Sequence, residues 1–117
     1  MRNVAWLVLL VWLLAASCAS KTVRIPDSVI QPDSMSAVLA DIHIAQAAVA
    51  VRVSRDTVPV SMASFTESIF SKHGITREKF DSSLKFYSSN PELLDSIYKN
   101  VIEQLSRMQG EAEGGNR

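Results

Sequence analysis

Apolar and polar positions divide the chain into an apolar head, a polar connection and four amphipathic stretches. Val4 to Leu14 contains no polar residue, whereas from Met35 onward apolar residues recur three and four positions apart. That recurrence places them on one face of an α-helix. The first stretch predicts a helix from Met35 to Arg52 with Asp33 or Ser34 as its N-cap, because a short polar side chain there accepts from the free amides of the first turn. Met35, Val38, Leu39, Ile42 and Val49 form its expected core stripe. A second, thinner stripe holds Ala37, Ala40, Ile44, Ala47 and Val51. Small residues let a neighbouring backbone approach closely, so this stripe is either packed inside the domain or offered to a partner. It is the candidate partner-binding face.

Ser54, Arg55, Asp56, Thr57 and Pro59 continue a helix poorly, which predicts a loop over Val53 to Val60. The second helix spans Ser61 to His73 with Met62, Phe65, Ile69 and Phe70 inward, and Gly74 supplies the left-handed residue that stops it. Thr76 caps the third helix, whose inner face is Phe80, Leu84 and Tyr87. Asn90 is the next N-cap candidate, and Pro91 suits the first position of the last helix. That helix carries Leu94, Ile97, Tyr98, Val101, Leu105 and Met108 inward and is expected to close at Gly110. The fold class is therefore all-α, a small bundle of about four helices over residues 33–109. Residues 110–117 have no large apolar side chain and are expected to be a disordered tail.

The head reads differently. Met1-Arg2-Asn3, an apolar run of eleven residues and then Ala15, Ala16 and Ser17 follow the pattern of a bacterial secretory signal over residues 1–17. The run is too short to span about 30 Å of hydrocarbon, which takes about 20 helical residues. Leu14-Ala15-Ala16-Ser17-Cys18 resembles the lipobox of bacterial lipoproteins, in which the cysteine receives a diacylglycerol before cleavage in front of it. The usual leucine stands three residues before the cysteine; here Leu14 stands four before and Ala15 takes that place. Cys18 is the sole cysteine, so no intramolecular disulfide can form, although export points to a compartment where disulfides persist. Lipidation gives that thiol a role, and two or three acyl chains at about 0.8 kcal/mol per buried CH₂ make a lasting membrane anchor.

Residues 18–32 read as a lipidated cysteine and tether, with Pro26 and Pro32 holding their predecessors extended and with Val29 and Ile30 either docking on the domain or forming a short edge strand. Lys21 and Arg24 are placed to meet phospholipid headgroups. No acidic residue follows Cys18 before Asp27. In lipoproteins of the Bacteroides type, acidic residues just after the cysteine accompany display on the cell surface, so the expected location is the cell envelope, at the outer membrane facing the periplasm.

Charge and chemistry exclude more than they assign. The chain has 12 basic and 12 acidic residues, and loss of Arg2 with the head leaves the balance almost neutral. Nucleic acid would call for a basic patch or stripe, and a strongly charged substrate is disfavoured as well. Asp41 and His43 lie two apart on a helix, roughly 200° around the axis, so they cannot hold one ligand together. His43 flanks the core stripe and is expected to be partly buried; His73, in a last turn, meets the negative end of the helix dipole. A competing arrangement joins His43 and His73 across two helices, with Asp41 from another angle, as a metal-binding or catalytic set. Neither a phosphate loop nor a nucleophile elbow occurs, so no catalytic residue, metal ligand or cofactor is assigned and no small-molecule substrate is evident. Asp81 with Lys85, Asp95 with Lys99 and Glu103 with Arg107 have the spacing of solvated helical ion pairs.

Asp41-Ile42-His43 on the first helix, Phe65 to Phe70 leading into Lys72-His73-Gly74-Ile75, then Phe80, Ser83-Leu84, Tyr87, Asn90-Pro91, Tyr98 and Val101 form the distinctive succession. It resembles the family called domain of unknown function 4296, short and mostly helical lipoproteins of the Bacteroides and Flavobacterium group. The resemblance covers about Ile25 to Met108 and implies export, anchoring and a helical fold, with no activity to carry over. The expected function is that of a noncatalytic adaptor or accessory subunit, anchored through Cys18 and meeting an envelope protein or a second copy of itself. The alternatives are a periplasmic holdase-like chaperone and a histidine-dependent metal-binding protein or enzyme.

Overall fold

A computed structural model describes residues 1–15, 22–54 and 61–115. The elements are α1 (Arg2–Ala15), α2 (Pro32–Ser54), α3 (Met62–His73), α4 (Arg77–Ser88) and α5 (Pro91–Gly114). The all-α expectation holds. α1 is the apolar head, a single helix with Trp6, Leu7 and Leu9 exposed, a form compatible with a signal peptide.

α2 is the central element, packing against α3 and α5, while α4 packs against α5. It starts at Pro32, three residues earlier than its periodicity suggests. A proline needs no amide partner in a first turn, and the Met35 amide donates to the Gln31 carbonyl at 2.8 Å. Pro32 therefore belongs to the helix and not to a tether, and Asp33 and Ser34 lie within the first turn instead of capping it. α5 runs antiparallel to the start of α2: the Ser36 hydroxyl reaches the Ile97 carbonyl at 3.4 Å, and Asp33 shares a groove with Gln104 and Arg107. One stretch of α2, Pro32–Arg52, is long and apolar enough to cross a membrane by length and composition. It carries Asp41 in an ion pair and packs on two helices, as the central helix of a domain does.

The core is built from Met35, Val38, Leu39, Phe70, Tyr87, Ile97 and Val101. Phe70 and Phe80 pack together with ring centroids 5.0 Å apart and ring planes tilted by 39°. The segment before α2 joins the same core, with Val29 and Ile30 buried. The Ile30 amide donates to Ser83 Oγ at 2.9 Å, and the Ile30 carbonyl accepts from the Tyr87 hydroxyl at 2.7 Å. Both backbone groups are thus satisfied by α4 side chains, and the docking expected of Val29 and Ile30 is achieved without a strand.

The α3–α4 corner follows its sequence signals closely. Gly74 sits at φ 62°, its amide donating to the Ser71 carbonyl at 3.1 Å while the Ile75 amide donates to the Phe70 carbonyl at 3.0 Å. This is the paired bonding that closes a helix on a left-handed residue. Ser61 caps α3 through the Ala63 amide, and Thr76 caps α4 through the Lys79 amide. Pro91 opens α5, but Asn90 does not cap it; its side-chain amide turns back to the Phe86 carbonyl at 2.7 Å and closes α4.

α5 corrects two further expectations. It continues through Gly110 to Gly114, so residues 110–114 are helical rather than disordered. Glu111, Ala112 and Glu113 are good helix formers, and Gln109 donates to Glu113 one turn on at 3.2 Å. Tyr98 and Met108 are exposed, not inward, because the apolar arc of α5 is wider than the surface it covers. Of the spaced ion pairs, Asp95–Lys99 and Glu103–Arg107 form at 2.9 and 3.4 Å; among the described residues no ion pair joins Asp81 to Lys85.

Candidate functional site

The second stripe of α2 divides at mid-helix. Ala40 is buried and Ala37 half-buried, whereas Ile44, Ala47 and Val51 are exposed. The reason lies in the surroundings of the helix. From Met35 to Ala40 it packs against α5 and shares its core with the buried Val29–Ile30 segment, which leaves little of its circumference open. Beyond Ala45 the buried and half-buried positions lie on one side, that of Ala45, Ala48 and Val49. Ala40, and to a lesser degree Ala37, are thus part of the domain interior and not of a partner-binding face. Ile44, Ala47 and Val51 lie on the surface.

α2 also carries Asp41, which the fold brings to the end of α3. Asp41 Oδ2 lies 2.7 Å from His73 Nε2 and 2.9 Å from Lys72 Nζ. The Asp41 and His73 side chains are mostly shielded, and the Lys72 side chain is open to solvent. Burial alone would raise the Asp41 pKa; hydrogen bonds from Lys72 and His73, with the charge of both, overcome it and hold the carboxyl below its ordinary value. His73 is therefore more than a helix-end residue. It is fixed by a carboxylate from a second helix, 32 positions away in sequence.

His43 stands apart from this cluster. It is exposed, not partly buried, and its Nδ1 meets Gln46 Oε1 at 3.2 Å. At 100° per residue it points away from Asp41, as its spacing requires. The joint His43–His73–Asp41 arrangement is not assembled, and among the described residues no group of three potential ligands stands ready for a metal ion. Asp41 and His73 form a carboxylate-oriented imidazole, the pairing that serves as a general base when a nucleophile or substrate lies beside it. No described hydroxyl or thiol is hydrogen-bonded to His73.

His73 also borders a groove of about 500 Å³ between the α3–α4 corner and the segment leading into α2, with Ile25, Asp27, Ser34, Gly74 and Lys79 among its walls. This groove has no counterpart in helical periodicity, since its two sides come from residues about fifty positions apart. Cys18, the lipidation candidate, lies outside the described residues.

These features define a small all-α domain built on a central helix, with a carboxylate–histidine–lysine cluster joining two of its members. Residues 26–111 match the family described as Domain of unknown function (DUF4296), and the chain belongs to that family. No curated protein and no solved structure matches the chain.

Proposed function

We propose that the protein is a lipoprotein anchored through Cys18 at the outer membrane, facing the periplasm, where it acts as a noncatalytic adaptor or accessory subunit of an envelope complex. The observation that carries the reading is the exposed half of α2. Ile44 and Val51 are large apolar residues on the surface, with Ala47 between them, on a helix whose other end is held in the core. An exposed apolar helix face of this kind suits docking against a helix or groove of another protein. The sole cysteine, following a secretory-type head, supplies the anchor.

Two measurements on the full chain in envelope preparations test this. Metabolic labelling with an alkyne fatty acid is expected to mark the wild-type chain and not Cys18→Ala. A photocrosslinking residue at position 44 is expected to capture one defined envelope protein, and the same probe at exposed Ser106 is expected to capture none. An unlabelled wild-type chain overturns the anchor. Equal, diffuse capture at both positions overturns the adaptor role.

A further inference from the structure

We infer that Asp41 serves export as well as folding: its charge at the middle of α2 keeps the translocating chain from stopping in the inner membrane, so that the helix reaches the periplasm and packs instead of spanning. The inference rests on the secretion proposed above and adds to it a role for one residue. A chain threaded through a membrane is read segment by segment before any tertiary contact exists, and a stretch of about 20 apolar residues is released sideways into lipid. Pro32–Arg52 passes that test of length and composition. From Ser34 to Val51, eighteen residues and about 27 Å of helix, Asp41 is the one acidic or basic side chain, His43 being counted neutral. It stands one residue from the midpoint of Pro32–Arg52, where a carboxylate is most costly. A central aspartate costs about as much as Val38, Leu39, Ile42, Ile44, Val49 and Val51 together contribute. Arg52 and Arg55 follow at once, basic residues of the kind that stay on the cytoplasmic side of a span. Without the carboxylate, the stretch has the length, the apolar content and the flank of a stop signal.

The folded domain shows what becomes of that charge afterwards. The Asp41 side chain is 17% exposed, and a shielded charge needs a partner. Its partners, Lys72 and His73, lie 31 and 32 positions further along the chain. They emerge only after α2 has passed, so they compensate the carboxylate in the finished domain and leave it uncompensated during passage. One side chain thus meets two opposite demands in succession, a charge that lipid rejects and a charge that the interior accepts.

The test uses the full chain with Ser106→Cys as parent, an exposed position on α5 that follows the stretch in question. Acylation blocks the Cys18 thiol, and the chain without the added cysteine reports whatever thiol remains there. Cells with a permeabilised outer membrane are treated with a membrane-impermeant maleimide, and the label is compared with that obtained once the inner membrane is opened too. This ratio does not depend on how much of a variant survives folding. The parent is expected to be fully labelled before the inner membrane is opened, and Asp41→Leu several-fold less. Asp41→Leu/His43→Asp returns a carboxylate near the middle of the stretch without the contacts to Lys72 and His73, and is expected to be labelled like the parent. Asp41→Leu labelled as fully as the parent overturns the inference. A double variant as protected as Asp41→Leu overturns it too, since the defect then follows the lost contacts and not the lost charge. A parent that is itself protected overturns secretion, and the inference falls with it.

Discussion

Asp41 shows how a single residue acquires a role that its sequence neighbours do not announce. Two positions before His43 in sequence it suggests a pair, and the helix turns the two apart; the partners it meets are Lys72 and His73 from α3. Its carboxyl is held below the ordinary carboxylate value, so the sign of its contribution follows. Stability from this contact is fully present above the unfolded carboxyl pKa of about 3.9 and is lost as pH falls through the lower folded value. Asp41→Asn is expected to lower stability at neutral pH by about 1 kcal/mol, because one charged acceptor serves two donors. The wild-type and variant curves should converge below about pH 4. Urea denaturation across pH 3 to 7 checks this, and parallel curves would show that the contact is energetically silent.

At the scale of elements, the helices were legible because apolar spacing, caps and a stop glycine act within a few residues of one another. Thr76, Gly74 and Pro91 do what their local chemistry dictates. Asn90 does not, since its side chain had two helix ends within reach and the carbonyl of Phe86 captured it. The Val29–Ile30 segment before α2 was legible only as something that docks or forms a short edge strand. The reason is distance: its amide partner is 53 positions away and its carbonyl partner 57. The same geometry makes a prediction about α4. Tyr87→Phe keeps the ring and leaves the Ile30 carbonyl buried without its donor, a loss of about 1 to 3 kcal/mol. Burial raises the Tyr87 pKa, so its contribution is present below the unfolded value of about 10 and is lost as pH rises through the higher folded one. Stability of the wild type should therefore fall above about pH 10 more steeply than that of Tyr87→Phe. Identical alkaline slopes would mean that the phenol titrates as if exposed.

Over the whole molecule, the two apolar stripes of α2 resolve into a difference between its ends. Periodicity treats Ala40 and Ile44 as equivalent members of one stripe, and only the third dimension separates them, because the first half of α2 packs against α5 beside the buried Val29–Ile30 segment while the second half is covered on one side only. The separation is measurable. Ala40 is 1% exposed, and an aspartate there would be an unpaired charge in the interior, with a loss of about 3 to 5 kcal/mol. For a small domain whose total stability is about 5 to 10 kcal/mol, that is close to unfolding. Ile44 is 42% exposed, and Ile44→Asp forfeits partial burial only, about 1 kcal/mol or less. Thermal melts of the two variants should differ by about ten degrees or more, taking about 4 to 8 °C per kcal/mol for a domain of this size. If both variants melt together near the wild type, Ala40 is not enclosed and the whole of α2 is open to a partner. If both unfold, the second half of α2 is covered within the chain and the proposed docking face does not exist. A folded Ile44→Asp beside an unfolded Ala40→Asp gives the variant needed for the crosslinking comparison, in which loss of capture reports on docking and not on folding.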